Sequence, residues 1–166
     1  MKKIEILSVG LIIGVVGLAS ALAIGSARQN TRDVIRLAHV RELQIGLELF
    51  FNDHAAYPVV AELTPLGTTI TACLSDDGFE APCTDAASTT YVELVPAPPT
   101  QGLKGRSSCG GVKDAYCYSS DASSFAIQFE LEGGNSLLKL QKGVNCATDG
   151  GFKAGACEDL IPVTSE

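Results

Sequence analysis

One continuous pattern with two characters occupies the first fifty or so residues. From Ile6 to Ala27 no charged residue interrupts the apolar run, and about 20 such residues suffice to cross a bilayer. From Arg28 to Phe51 apolar positions recur at helical spacing among polar ones, and no proline or loop-like cluster separates the halves. The pattern predicts a single helix from Met1 to about Phe51. At about 100° per residue, Leu37, Val40, Leu43, Leu47, Phe50 and Phe51 fall within an arc of about 140°. That is the stripe expected to pack on a sheet of the same chain. Val34, Ile35, Ala38, Ile45 and Leu49 fall on nearly the opposite side. A helix docked on one small domain needs one stripe, so the second is predicted to be a contact face for copies of the chain, the alternative being apolar surface left exposed. Arg36, Arg41, Glu42 and Glu48 are placed on the flanks, where ion pairs contribute little.

Beyond the helix the periodicity shortens. Tyr57-Pro58 is expected to close the helix, because a residue before proline avoids the α region. Tyr91–Val95, Ala115–Ser119, Phe125–Glu132 and Ser136–Gln141 read as strands, the third with Phe125, Ile127, Phe129 and Leu131 on one face. The predicted class is α+β: a long N-terminal helix whose C-terminal half packs on a small antiparallel sheet of three to four strands, with disulfide-stapled loops. The chain divides into an apolar half-helix (1–27), an amphipathic half-helix (28–55) and a head (56–166). Within the head the reading places a long loop at 57–90, a meander at about 91–142 and a disulfide-bounded loop at 143–166.

The cysteines set the compartment. All six lie beyond residue 70, after the apolar span, which favours oxidation outside the cytoplasm. The sequence-local pairings are Cys73–Cys83, Cys109–Cys117 and Cys146–Cys157, among the fifteen connectivities six cysteines allow. With no C-x-x-C and only His39 and His54, no zinc site is expected. Net charge −7 argues against a general nucleic-acid-binding surface, which would be basic, and no specific nucleic-acid partner is predicted. Ser107-Ser108-Cys109-Gly110-Gly111 follows no apolar strand and precedes no helix, so it is not read as a phosphate cradle. His54 beside Asp53 reads as a capping or surface pair. Asp149-Gly150-Gly151 with Glu158-Asp159 offers oxygen ligands, but not at EF-hand spacing. No enzymatic activity, metal or cofactor is expected.

Lys2 and Lys3 would hold the N-terminus on the cytoplasmic side of a single-pass span, with the head outside. Ala21-Leu22-Ala23 also fits a signal-peptide cleavage site, but the amphipathic pattern runs through it, and the segment is expected to be retained. Glu5 at the apolar edge is the anomaly, since a carboxylate there costs several kcal/mol unless paired or neutralised.

Ile4-Glu5-Ile6-Leu7, followed by Ile12-Ile13-Gly14, resembles the N-terminus of type IV pilins and type II secretion pseudopilins. The run from Arg41 to Phe51, closing in Asn52-Asp53-His54-Ala55-Ala56-Tyr57-Pro58, is similar to the end of that family's helix. The resemblance implies that Glu5 pairs with the N-terminal amine, at Met1, of a neighbouring subunit. It implies a filament core formed by Ile12, Ile13, Gly14, Gly17 and Leu22, with a short unwound stretch near Gly14–Gly17. It further implies an extracellular helical homopolymer at the cell surface, drawn from the inner membrane by a platform protein, an assembly ATPase and a prepilin peptidase, with Met1 either an initiator or a processed, methylated residue. Motility, adhesion or DNA uptake are the roles it carries. A secretion pseudopilin or priming subunit, and a membrane-anchored binding domain that never polymerises, are the alternatives. The chain departs from the family in Lys2-Lys3 and in Leu22, where the family often has proline.

Overall fold

A computed structural model describes residues 3–60, 62–83 and 88–157; for residues 3–9, 21 and 22 only the helical backbone is described. Helix α1, Lys3–His54, runs 52 residues without a break, about 78 Å at 1.5 Å per residue. It passes through Gly14 and Gly17 as regular helix, so the single chain shows none of the unwinding expected of a fibre. The helix stops ahead of the proline. Ala55 enters the left-handed region at φ 55, and its N–H bonds Phe51 O at 2.7 Å, the single bond of an αL stop. Tyr57-Pro58 therefore lies in chain that has already left the helix. Tyr57 packs on Phe51 and Phe125 at ring distances of 4.7 and 4.8 Å.

The head contains more strand than its sequence predicts. The stretch read as a loop at 57–90 contains β1 (Thr64–Leu66), β2 (Cys73–Ser75) and β3 (Gly78–Glu80). Then come β4 (Thr90–Val92), β5 (Ser108–Cys109), β6 (Val112–Lys113), β7 (Tyr116–Ser120), β8 (Phe125–Leu131), β9 (Gly143–Thr148) and β10 (Gly151–Ala154). An antiparallel five-stranded sheet runs in the order β1-β7-β8-β9-β10; β3-β2-β4 form a second sheet, and β5-β6 a hairpin. The expected strand at Tyr91–Val95 is thus short and belongs to the smaller sheet.

Ser136–Gln141 is not a strand. Asn135 and Leu140 exchange backbone hydrogen bonds at 3.0 and 2.8 Å, and the Asn135 carboxamide accepts Leu138 N–H at 3.0 Å. Gly134 and Lys139 both have positive φ, which an extended strand excludes. The partner of β8 is instead β9, with Ile127 opposite Ala147 and Phe129 opposite Asn145, inside the stretch read as a C-terminal loop.

The helix stripe and the sheet meet as the periodicities require. Leu37, Val40, Leu43, Leu47 and Phe50 are buried with Phe125, Ile127, Phe129 and Leu131 in one core. The far face of β8 is covered as well. Glu130 there accepts the N–H groups of Lys104 and Arg106 at 3.0 and 2.8 Å. Gly46 allows the smaller sheet to approach, since a Cβ at this position would lie 2.3 Å from Val92 Cγ2 with Leu74 behind it. Val92 is β-branched and cannot swing aside. Gly46→Leu is expected to lower head stability by roughly 1–3 kcal/mol through overpacking, read as a reduced midpoint in urea.

Three disulfides, Cys73–Cys83, Cys109–Cys117 and Cys146–Cys157, are the sequence-local pairings. They tie β2 to the chain beyond β3, the β5 hairpin to β7, and β9 to the end of the described head. Each closes a short loop and should contribute about 2–4 kcal/mol. Melting followed by circular dichroism should show a much lower transition after reduction, while α1 keeps its helical signal.

Candidate functional site: exposed apolar faces of one helix

Past the head, the described side chains of α1 are uncovered. Every described side chain from Gly10 to Arg28 is exposed, including Leu11 at 70%, Ile13 at 66% and Leu18 at 66%. Ile12, Gly14 and Gly17 lie on this rod. Met1 lies outside the described residues, as do the side chains of Glu5 and Leu22. The helix is long and apolar enough to cross a membrane, with a mean hydropathy of 2.1 in its most apolar window.

Beside the head the second face is just as open. Val34, Ile35, Ala38, Ile45 and Leu49 are all exposed, Val34 and Ile45 at 61% and 62%. Ile45 and Arg41 form a ridge between two open grooves. One, of about 770 Å³, is bounded by Ala38, Glu42, Tyr91 and Leu94. The other, of about 600 Å³, is bounded by Glu48, Leu49, Asp149 and Gly150. The Arg41 guanidinium lies 4.7 Å above the Phe152 ring, an attractive cation–π arrangement that holds one wall of the ridge. The ridge is thus one apolar side chain beside a cation, with Glu42 and Glu48 at the margins of the two grooves.

Arg36 is not on a flank. It is wholly buried, with Nη1 bonded to Asp33 at 2.7 Å and Glu132 at 2.9 Å. Its other nitrogens donate to Pro99 O and Gln101 O. Arg32 completes the network on Glu132 at 2.6 and 2.7 Å, and Asp33 accepts the N–H groups of Glu132 and Gly133, both at 2.8 Å. These bonds fix the 99–101 and 132–133 segments, and so the end of β8, to the helix where it leaves the head. The bonds from Arg32, opposed by burial and aided by Arg36, hold the Glu132 carboxyl below its usual range.

At the other end His54 caps the helix and does not pair with Asp53. Its Nδ1 meets Phe50 O at 3.0 Å and its ring stacks on Phe50 at 4.1 Å. Nε2 lies 3.7 Å from Asp76, while Asp53 accepts the Tyr91 hydroxyl at 2.9 Å. Cys73, Glu80 and Cys83 form the one grouping of metal-ligand type among the described residues, and its two sulfurs are joined to each other. Asp149 sits in the β9–β10 turn; Glu158 and Asp159, suggested as its companions, lie outside the described residues.

Comparison with protein-family models, with curated proteins and with solved structures returns no match.

Proposed function

We propose that the chain is the structural subunit of a filament of the type IV pilin kind, and specifically its major subunit. One observation carries the reading. A single helix presents an exposed apolar rod beyond the head and, on the same helix beside the head, a second exposed apolar face turned away from the core. A span alone accounts for the rod and leaves Val34, Ile35, Ala38, Ile45 and Leu49 unexplained, whereas a bundle of such helices buries both. In this reading the rods are held in the inner membrane with their N-termini inside, then leave it to pack side by side. The disulfide-stapled heads form the outer surface of a non-covalent extracellular homopolymer. Glu5 then sets the register, since its carboxylate in a low-dielectric bundle is satisfied best by the amine at Met1 of a neighbour. The platform, assembly ATPase and processing peptidase are separate proteins, and the subunit performs no catalysis.

Glu5→Ala tests the reading in cells. It should move the polypeptide from the sheared extracellular fraction to the membrane fraction without lowering its total amount. A protein that remains in the membrane fraction before and after the substitution is an anchored domain and not a filament subunit.

A further inference from the structure

The head has a polarity along the helix axis that filament packing does not require. Phe125, at the start of β8, lies beside Tyr57 near the helix end, and Glu132, just past β8, lies beside Arg32. The base of the head is therefore the segments around 101–106 and 132–143, where α1 emerges. There Arg28, Lys104, Arg106, Lys139 and Lys142 are exposed, and among the described residues none of them is in an ion pair. The carboxylates of this end are turned inward: Asp33, Glu130 and Glu132 are buried, and half-buried Asp114 accepts Gly105 N–H at 2.7 Å. Exposed carboxylates gather at the opposite end, with Asp53 at the helix terminus and Asp121 next to Ala122, whose carbonyl binds Tyr57 N–H.

The base also projects leucines. Leu137 is 92% exposed and Leu138 39%, yet the turn carrying them is closed by the Asn135–Leu140 bonds and by Lys139 N–H on Ser136 O at 3.2 Å. Gly134 is required there, because a Cβ would lie 2.8 Å from the backbone of 140–142. Buried Leu140 anchors the turn to the core. Leu137 faces a hollow shared with Asn30 and Val34 of the helix. If the apolar span ends at Ala27, Asn30 to Val34 lies about 4–11 Å beyond it along the axis. A leaflet's headgroup layer is about 5–7 Å deep, so the turn sits at its level.

We propose that this base is a lipid-docking surface: Leu137 and Leu138 insert at headgroup depth in the leaflet from which the helix emerges, and Lys139, Lys142, Lys104 and Arg28 engage the phosphates of anionic phospholipids. Shallow apolar insertion beside cations is the chemistry of an interfacial anchor. Docking fixes the angle of the head to the membrane before assembly and must be released for a subunit to leave. The inference rests on the helix spanning a bilayer and is independent of polymerisation.

The chain contains no tryptophan, so Leu137→Trp and Leu138→Trp each install a single reporter. Val59→Trp, next to Pro58 at the far end, serves as the exposed control. The full chain is reconstituted in vesicles of phosphatidylcholine with phosphatidylglycerol, and vesicle flotation is scored first. The expected result is emission at 137 and 138 shifted to the blue, with several-fold stronger quenching by lipids brominated high on the acyl chain than for the control, and several-fold weaker quenching by acrylamide. Replacing phosphatidylglycerol with phosphatidylcholine, or combining Lys139→Gln with Lys142→Gln, should remove most of that difference. Acrylamide quenching equal to the control overturns the proposal, as does indifference to lipid charge. Protection that grows with protein-to-lipid ratio also overturns it, and marks the base as a contact between copies. Failure to float with vesicles defeats the spanning reading itself, and this inference with it.

Discussion

Arg36→Met is expected to destabilise the head by about 3–5 kcal/mol, the cost of leaving a buried charge without its partner. In the native chain Arg32 and Arg36 balance Asp33 and Glu132. Removing Arg36 leaves an excess negative charge in the core and strips the donors from Pro99 O and Gln101 O. An unsatisfied buried acceptor costs about 1–3 kcal/mol. Urea titration of the detergent-solubilised protein, followed by near-ultraviolet dichroism of the head tyrosines, reads the loss directly. Adding Asp33→Asn should recover part of it, because the amide oxygen still accepts one N–H of the 132–133 turn while the excess charge is gone. If Arg36→Met melts with the native protein, the buried network does not hold the head to the helix.

The same network gives stability a defined pH dependence. Glu132 has its folded-state pKa depressed below its ordinary value of 4.5. Its contribution is therefore complete above that value and is lost as pH falls through it towards the folded pKa. His39 acts in the same direction. Burial lowers its pKa from 6.5, so the folded state resists protonation and loses ground to the unfolded state as pH falls below that value. Stability should be flat from neutrality up to the ordinary tyrosine range near 10, decline gently below pH 6.5 and fall steeply below about 4.5.

Ile45→Asp combined with Leu49→Asp is expected to abolish assembly while leaving the head's melting transition in place. Both side chains are exposed in the single chain, so folding loses little by the change. In a packed helix bundle each carboxylate would be desolvated without a partner, a penalty of several kcal/mol per site repeated at every subunit. Sheared surface material should then contain the polypeptide below detection, with the membrane pool intact. Glu62→Gln, at an exposed position of the head away from both grooves, is the matching control and should assemble normally.

The uninterrupted apolar run marked the first half of α1, and in the second half the 3.6-residue signal repeats over several turns, enough to find both faces. Periodicity also found β7 and β8, long enough to alternate. It placed β4 within a longer strand at Tyr91–Val95 and failed at β1 to β3, each three residues long, where alternation has no room to register. It failed at Ser136–Gln141, where apolar residues mimic a strand but Asn135 and two left-handed residues make a closed turn. Arg36 was misplaced for a different reason. On the helical wheel it lies about 40° from Val40, and Asp33 about 20°, inside the buried stripe. A charge there demands a partner of opposite sign, and Asp33 at i−3 supplies part of it. Its other partner, Glu132, is brought in by tertiary structure, which no local pattern records. The cysteines were the reverse case: closing the shortest loops costs the least chain entropy, and the three bridges are the sequence-local ones.

Electron cryomicroscopy of material sheared from cells producing this chain tests the central claim most directly. Helical reconstruction should show filaments of this one polypeptide, with the apolar rods bundled at the axis, Val34, Ile35, Ala38, Ile45 and Leu49 buried between neighbours, and the heads outside. Absence of filaments in cells whose membranes hold the intact protein, or filaments in which that face remains open to solvent, would contradict it.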